Sequence, residues 1–217
     1  MLFTHMSKTA MALALFAITG TAVVALTFSL TKDLIAENER QAIMLSLNAL
    51  VPATQHDNDM FNDTIQLTDP KLLGSKGAVT VYRARQENMP IAAVFESIAP
   101  DGYNGRIKLL IAIHEDGTVA GVRVVSHKET PGLGDSIEHN RSNWILFFDG
   151  RSLFNPTKAG WRVKKDGGIF DQFTGATITP RAIVKAVYNS LIYFSLNKDR
   201  VFTENSTPTK TEGTKHE

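Results

Sequence analysis

The chain contains no cysteine. That excludes disulfides, thiolate zinc sites and cysteine-ligated iron–sulfur clusters, so any redox chemistry must come from another cofactor. Neither sign of charge dominates: 23 Lys and Arg stand against 22 Asp and Glu, for a net charge of +1, and no basic block stands out. Nucleic acid is therefore not an expected partner. Six histidines are scattered without a His-x-x-x-His or Glu-x-x-His pattern, and no metal site is expected. What is present is 217 residues with 43% hydrophobic content, enough for one domain with a real core plus an appendage.

The appendage is N-terminal. Residues 9–30 are uncharged and mostly apolar, long enough at 1.5 Å per residue to cross a hydrocarbon core of ~30 Å. A cleaved signal peptide is the competing reading, with Lys8 before the run and Gly20-Thr21-Ala22 as small residues for cleavage. The run continues through Val23, Val24, Leu26, Phe28 and Leu30, which is long for a leader and favours an uncleaved anchor spanning residues 1–31. Charge leaves the orientation open, because Lys8 on one side competes with Lys32 and Arg40 on the other. Residues 32–75 read as a stalk helix, apolar at Leu34, Ile35, Ala42, Ile43 and Leu47 and ending at Pro52, followed by a polar connector rich in Asp and Asn.

Segments 79–84, 91–98, 106–114 and 118–126 are rich in β-branched and apolar residues and predict an antiparallel sheet. Asp116-Gly117 makes the last two a tight hairpin. Tyr103-Asn104-Gly105 is another turn, where Tyr103 is expected to pack. The spacing of Ile183, Val184, Val187, Tyr188 and Leu191 predicts a helix from about Pro180 to Phe194, with Thr179 as its cap. Trp161 to Val163 reads as a further strand. Trp144 and Trp161 are expected in the core, and Lys164 and Lys165 in a solvated turn. The fold class is α+β, an antiparallel sheet with packed helices, and residues 197–217 form a polar tail expected to be disordered.

Two stretches carry the chemistry. In Asp171-Gln172-Phe173-Thr174-Gly175-Ala176-Thr177-Ile178-Thr179-Pro180, hydroxyls and a glycine crowd the start of the helix, where unpaired N–H groups and the helix dipole favour an anion. From the residues alone, a capped helix after a glycine turn remains the alternative. In His127-Lys128-Glu129-Thr130-Pro131-Gly132-Leu133-Gly134, two glycines and a proline let backbone approach a flat ligand, and Glu129 and Thr130 can hydrogen-bond ring atoms. A plain loop is the alternative there.

Together and in this order, Glu-Thr-Pro-Gly-Leu-Gly and Asp-x-x-Thr-Gly-Ala-Thr resemble the signatures of the FMN-binding domain family. That domain is shared by the G subunit of the Rnf ion-translocating electron-transport complex and the C subunit of the sodium-pumping NADH:quinone oxidoreductase. The resemblance covers residues 76–194, and the anchor fits it. It implies FMN joined through its phosphate to Thr177 by a dedicated periplasmic flavin transferase, with Asp171 as the acidic residue of the motif. It also implies Thr174, Gly175, Ala176, Thr179, Glu129, Thr130, Leu133 and Gly134 around the cofactor. No catalytic side chain is expected: FMN carries the electrons, within a ferredoxin- and NAD-linked complex in the bacterial inner membrane whose other subunits are the partners. The short chain favours the Rnf protein over its sodium-pumping relative, and an anchored ligand-binding or scaffold domain without flavin is the alternative of another class.

Overall fold

A computed structural model describes residues 2–206. The chain divides between Ile43 and Met44 into two units.

The first unit belongs to one helix, α1 (Leu2–Leu50). It is long and apolar enough to cross a membrane, by length and composition. Thr19, Thr27 and Thr31 donate their hydroxyls to the carbonyls of Leu15, Val23 and Thr27 at 2.8, 2.8 and 2.9 Å. These hydroxyls are thereby satisfied within the helix, as an apolar solvent requires. The expected anchor and stalk are one unbroken helix, because no proline or glycine interrupts the chain between Gly20 and Pro52.

The second unit is a five-stranded antiparallel meander in sequence order: β1 (Thr64–Leu67), β2 (Val79–Gln86), β3 (Met89–Gly102), β4 (Gly105–His114) and β5 (Val119–Ser126). β1 falls within the expected connector. Its four residues pair with β2 and bury Thr64, Ile65 and Leu67. The β2–β3 turn holds Glu87 and Asn88 at φ 52° and 64°, the left-handed pair that a two-residue hairpin needs to match strand twist. Gly102 and Gly105 pair across the β3–β4 turn and leave Tyr103 and Asn104 at its tip.

One face of the sheet is covered by α2 (Ile178–Thr203). Phe95 meets Tyr193 and Phe194 edge-on at 6.1 and 6.2 Å, and the buried hydroxyls of Ser97 and Ser190 lie 2.8 Å apart. Residues 127–177 carry four short 3₁₀ helices and no strand, so the expected strand at Trp161 is absent; only a bridge joins Val163 to Phe170. Gly168 packs so tightly on Arg162 that a Cβ would lie 2.0 Å from its carbonyl oxygen. This long segment is held by rings instead: Phe148 stacks on Phe170 at 4.7 Å, Trp161 lies against both, and Trp144 meets Phe148 and Phe173 edge-on.

α2 runs on past Leu196, so residues 197–203, expected in the tail, are helical. Asn197 departs from helical geometry (φ −129°, ψ 16°) and donates to the Tyr193 carbonyl at 2.9 Å, yet Val201 and Phe202 beyond it are buried. The extension is held by Arg83, only 2% exposed, and Arg85. Arg83 donates to the carbonyls of Glu204 (2.6 Å) and Val201 (3.4 Å), and Arg85 to that of Phe202 (2.7 Å). Both guanidiniums converge on the Asp63 carboxylate. Burial pushes that carboxyl up, but hydrogen bonds from Arg85, Ser206 and Arg83, with the charge of Arg83, outweigh it and hold Asp63 below the ordinary 3.8. The rest of the expected tail, residues 207–217, lies outside the described residues.

Candidate functional site

The two motif stretches meet. β5 delivers the chain to Glu129, and the aromatic cluster delivers it to Thr177, so the loops face each other across a cleft of about 360 Å³. That size is within the range of small-molecule sites. Glu129, Thr130, Leu133 and Gly134 line one side, and Gly175, Ala176, Thr177 and Thr179 the other. Tyr103 and Ile178 complete the rim. Tyr103, 66% exposed, is not the packing residue the sequence suggested. The pair of glycines, Gly102 and Gly105, that frees its hairpin tip is the one sequence signal that could have found it.

Glu129 is the staple of the cleft. It is 5% exposed, and both its oxygens are engaged by the protein: Oε1 accepts the Asn104 N–H at 3.0 Å, and Oε2 accepts the Thr179 hydroxyl. One carboxylate thus ties together the β3–β4 tip, its own loop and the first turn of α2, through charge-assisted bonds in a dry place. Gly134 is required beside it, since a Cβ there would lie 2.8 Å from the Glu129 Cβ. Asn104 Nδ2 donates to Thr130 Oγ1 at 3.1 Å and closes the same corner. Behind the loop, the Glu129 N–H donates to His127 Nδ1 at 3.0 Å, which leaves Nε2 to carry the proton toward Glu138 Oε1, 2.6 Å away.

The three threonines differ in ways their spacing did not reveal. Thr179, expected to cap the helix, is fully buried and spends its hydroxyl on Glu129; the helix begins one residue before it, and Pro180 sits in the first turn, where its missing N–H leaves nothing unpaired. Thr174 is exposed at a turn that Gly175 closes with φ 81°, and it does not line the cleft. Thr177 holds the capping position with helical dihedrals, and its hydroxyl makes no capping hydrogen bond and no other among the described residues. It is a half-buried hydroxyl beside a cleft, at the end of a helix whose first N–H groups have no intrahelical partner.

Asp171 lies outside the cleft. Its carboxylate pairs with Lys164 at 2.6 Å, and its carbonyl accepts the Trp144 indole N–H at 2.8 Å, so it ties the motif to the aromatic cluster. A flat, partly apolar ligand with an anionic end suits this cleft. Tyr103, Leu133 and Ile178 offer apolar surface, Gly134 and Gly175 bring backbone close, and the helix start offers N–H groups to the anion.

Residues 102–192 match the family described as FMN-binding domain, and residues 1–50 match the RnfG N-terminal region. The chain is 45% identical over 202 residues to the G subunit of the ion-translocating oxidoreductase complex of Aliivibrio fischeri, covering 93% of this chain and 96% of the relative. It is 46% identical over 197 residues to that of Pseudoalteromonas atlantica, covering 91% and 92%, and 47% identical over 196 residues to that of Pseudomonas aeruginosa, covering 90% and 92%.

Proposed function

The chain belongs to the family of G subunits of ion-translocating oxidoreductase complexes, with an FMN-binding domain, and from that premise we propose that it is an anchored electron carrier whose FMN is esterified to Thr177. The observation that carries this reading is the contrast among the threonines. Among the described threonines, only Thr177 both lines the cleft and keeps its hydroxyl uncommitted, since Thr179 donates to Glu129 and Thr130 accepts from Asn104. In attachment, Thr177 Oγ would give its proton to a base of the periplasmic transferase and bond to the phosphorus of an activated flavin phosphate held by that enzyme, as the P–O bond to the leaving group breaks.

FMN supplies reversible electron uptake and release, and the protein supplies position and surroundings. The helix start favours the phosphate. Glu129, with both oxygens engaged, acts by holding Asn104 and Thr179 in place. Thr130 and Leu133, which line the cleft from their loop, would hold the ring. A carrier that faces open solvent would lose a dissociable cofactor by dilution, which is what the ester prevents. Residues 9–30, exposed and apolar, support a single-pass anchor in the inner membrane, with the domain after Lys32 on the periplasmic side and the other subunits of the complex as partners. A reporter fused after residue 217 and active only in the cytoplasm would overturn that orientation.

Peptide mass mapping of the chain purified from membranes tests the attachment. The expected result is an FMN-sized adduct fragmenting to Thr177. An adduct on Thr174 or Thr179, or a protein that loses its yellow colour on denaturation, would overturn it.

A further inference from the structure

The sheet face opposite α2 is finished in two ways. Along β3, Phe95 and Ser97 meet α2, so Val94, Glu96 and Ile98 point to the other side. Around Val94 and Ala112 that side is covered: Phe61 lies over Tyr82, and Leu50 sits so close to Gly121 that a Cβ there would lie 2.8 Å from its Cδ2. Further along the same strands the cover stops. A cavity of about 690 Å³ opens, lined among others by Glu96, Ile98, Arg106, Lys108, Ser126 and Lys128.

Its free charge is of one sign. Glu96 is its carboxylate, and it is already served by Lys108 at 3.1 Å and by the Tyr82 hydroxyl at 2.9 Å. Arg106 and Lys128 are exposed and have no ion-pair partner among the described residues. A merely solvated sheet end carries charges of both signs interspersed; this one is concave, and beyond the Lys108–Glu96 pair it presents two cations, Arg106 and Lys128, with no ion-pair partner among the described residues. It also shares a wall with the cleft. Asn104 lines the cavity, and from the same residue its N–H and side chain reach Glu129 and Thr130. Lys128 directly precedes Glu129.

Resting on the reading of the cleft as the flavin site, we propose that this cavity docks an acidic segment of the redox protein that exchanges electrons with the cleft. Carboxylates on that segment complement Arg106 and Lys128, and the shared wall, Asn104, places the docked partner next to the cleft. Electrostatic complementarity of this kind raises the encounter rate more than the lifetime of the contact, which suits a carrier that must release its partner after each transfer.

The test uses the intact complex, reconstituted in neutral lipid, with the rate of reduction of this chain's flavin followed by absorbance. In the double variant Arg106→Glu with Lys128→Glu, the covalent flavin content and midpoint potential stay as in the parent. The rate falls roughly ten-fold or more at low ionic strength, and the parent's decline with added salt flattens. If the reversed charges disturb folding, seen as lost flavin, Arg106→Ala with Lys128→Ala is read the same way. Lys158→Glu with Lys165→Glu, equal in net charge and away from the cavity, keeps the parent rate. A parent-like rate and salt dependence in the first variant overturns the docking site while leaving the cleft reading intact, and so does an equal loss in both double variants. A rate loss seen only after reconstitution with anionic lipid assigns the patch to headgroups and also overturns it. A parent complex without flavin on this chain overturns the cleft reading, and this one with it.

Discussion

At its C-terminal end, α2 and its capping residue Glu204 give the carbonyls of Val201, Phe202 and Glu204 to Arg83 and Arg85, and the two guanidiniums share the Asp63 carboxylate. At its N-terminal end the same helix leaves its first N–H groups without protein carbonyls and its capping residue, Thr177, without a capping bond. Both ends face the problem of unpaired backbone groups. One is closed by buried side chains, and the other stands open beside a cleft. A closed end contributes stability. An open end forgoes it and keeps a place for a ligand, so substitutions at the two ends should separate stability from cofactor binding.

The largest loss is expected from breaking the closed end. Arg83→Met leaves Asp63 with Arg85 and Ser206 but strips the Val201 and Glu204 carbonyls of their donor and removes one member of a buried ion pair. Removing one member of a buried pair costs about 3–5 kcal/mol, and the remaining partners put this case near the lower figure. Urea unfolding of the full chain in detergent measures it, and a loss below about 1 kcal/mol would show that the clamp is ornamental. The same end carries an acid signature. Because the folded-state pKa of Asp63 lies below the ordinary 3.8, its contribution is fully present above that value and is lost as the pH falls through the folded pKa. The stability gap between the parent and Asp63→Asn should therefore narrow below pH 3.8 and stay constant above it.

An intermediate effect is expected at Glu129, which belongs to the open end but is itself fully bonded. Glu129→Ala leaves the Asn104 N–H and the Thr179 hydroxyl without their acceptor. Hydrogen bonds to charged groups contribute about 1.5–3 kcal/mol, so a destabilisation of that order is expected. Flavin on the folded fraction should remain bound at Thr177, with an altered midpoint potential as the loop shifts. Complete loss of flavin from folded protein would mean that Glu129 secures the cofactor directly.

How these regions looked in the sequence follows from what local patterns report. The cleft was legible because its two loops are dense in glycine, proline and hydroxyls, and because the apolar spacing of β2 to β5 and of α2 forecasts the scaffold that brings them together. The direction of each side chain was not legible. Whether Thr179 caps its own helix or reaches Glu129, fifty positions earlier, depends on how the loops pack, and local spacing favours the nearer partner. Arg83 and Arg85 look like cations on a strand edge; nothing nearby in the chain signals that a helix end will seat on them. Once Arg83, Arg85 and Asp63 hold that end, the helix can continue past the kink at Asn197, where sequence periodicity stops. β1 escaped notice because four residues in a polar stretch carry too little alternation to stand out.

The smallest effect on stability should come from Thr177, the residue with the largest effect on cofactor. Replacing a capping Thr by Ala ordinarily costs about 0.5–2 kcal/mol, because a side-chain bond to the backbone is lost. Thr177 makes no such bond, so that cost does not arise, and Thr177→Ala should lie within about 0.5 kcal/mol of the parent, as for a surface substitution. The same change removes the only uncommitted hydroxyl that the motif's threonines offer the cleft, so the protein should be folded and colourless. Thr177→Ser separates the two roles further. It restores an oxygen at the same place without the methyl group, and should recover a covalent adduct while leaving stability where it was. If Thr177→Ala instead unfolds with a loss above about 1 kcal/mol, Thr177 caps its helix in solution and the open end is not open. If it stays folded and yellow after denaturation, the ester is elsewhere.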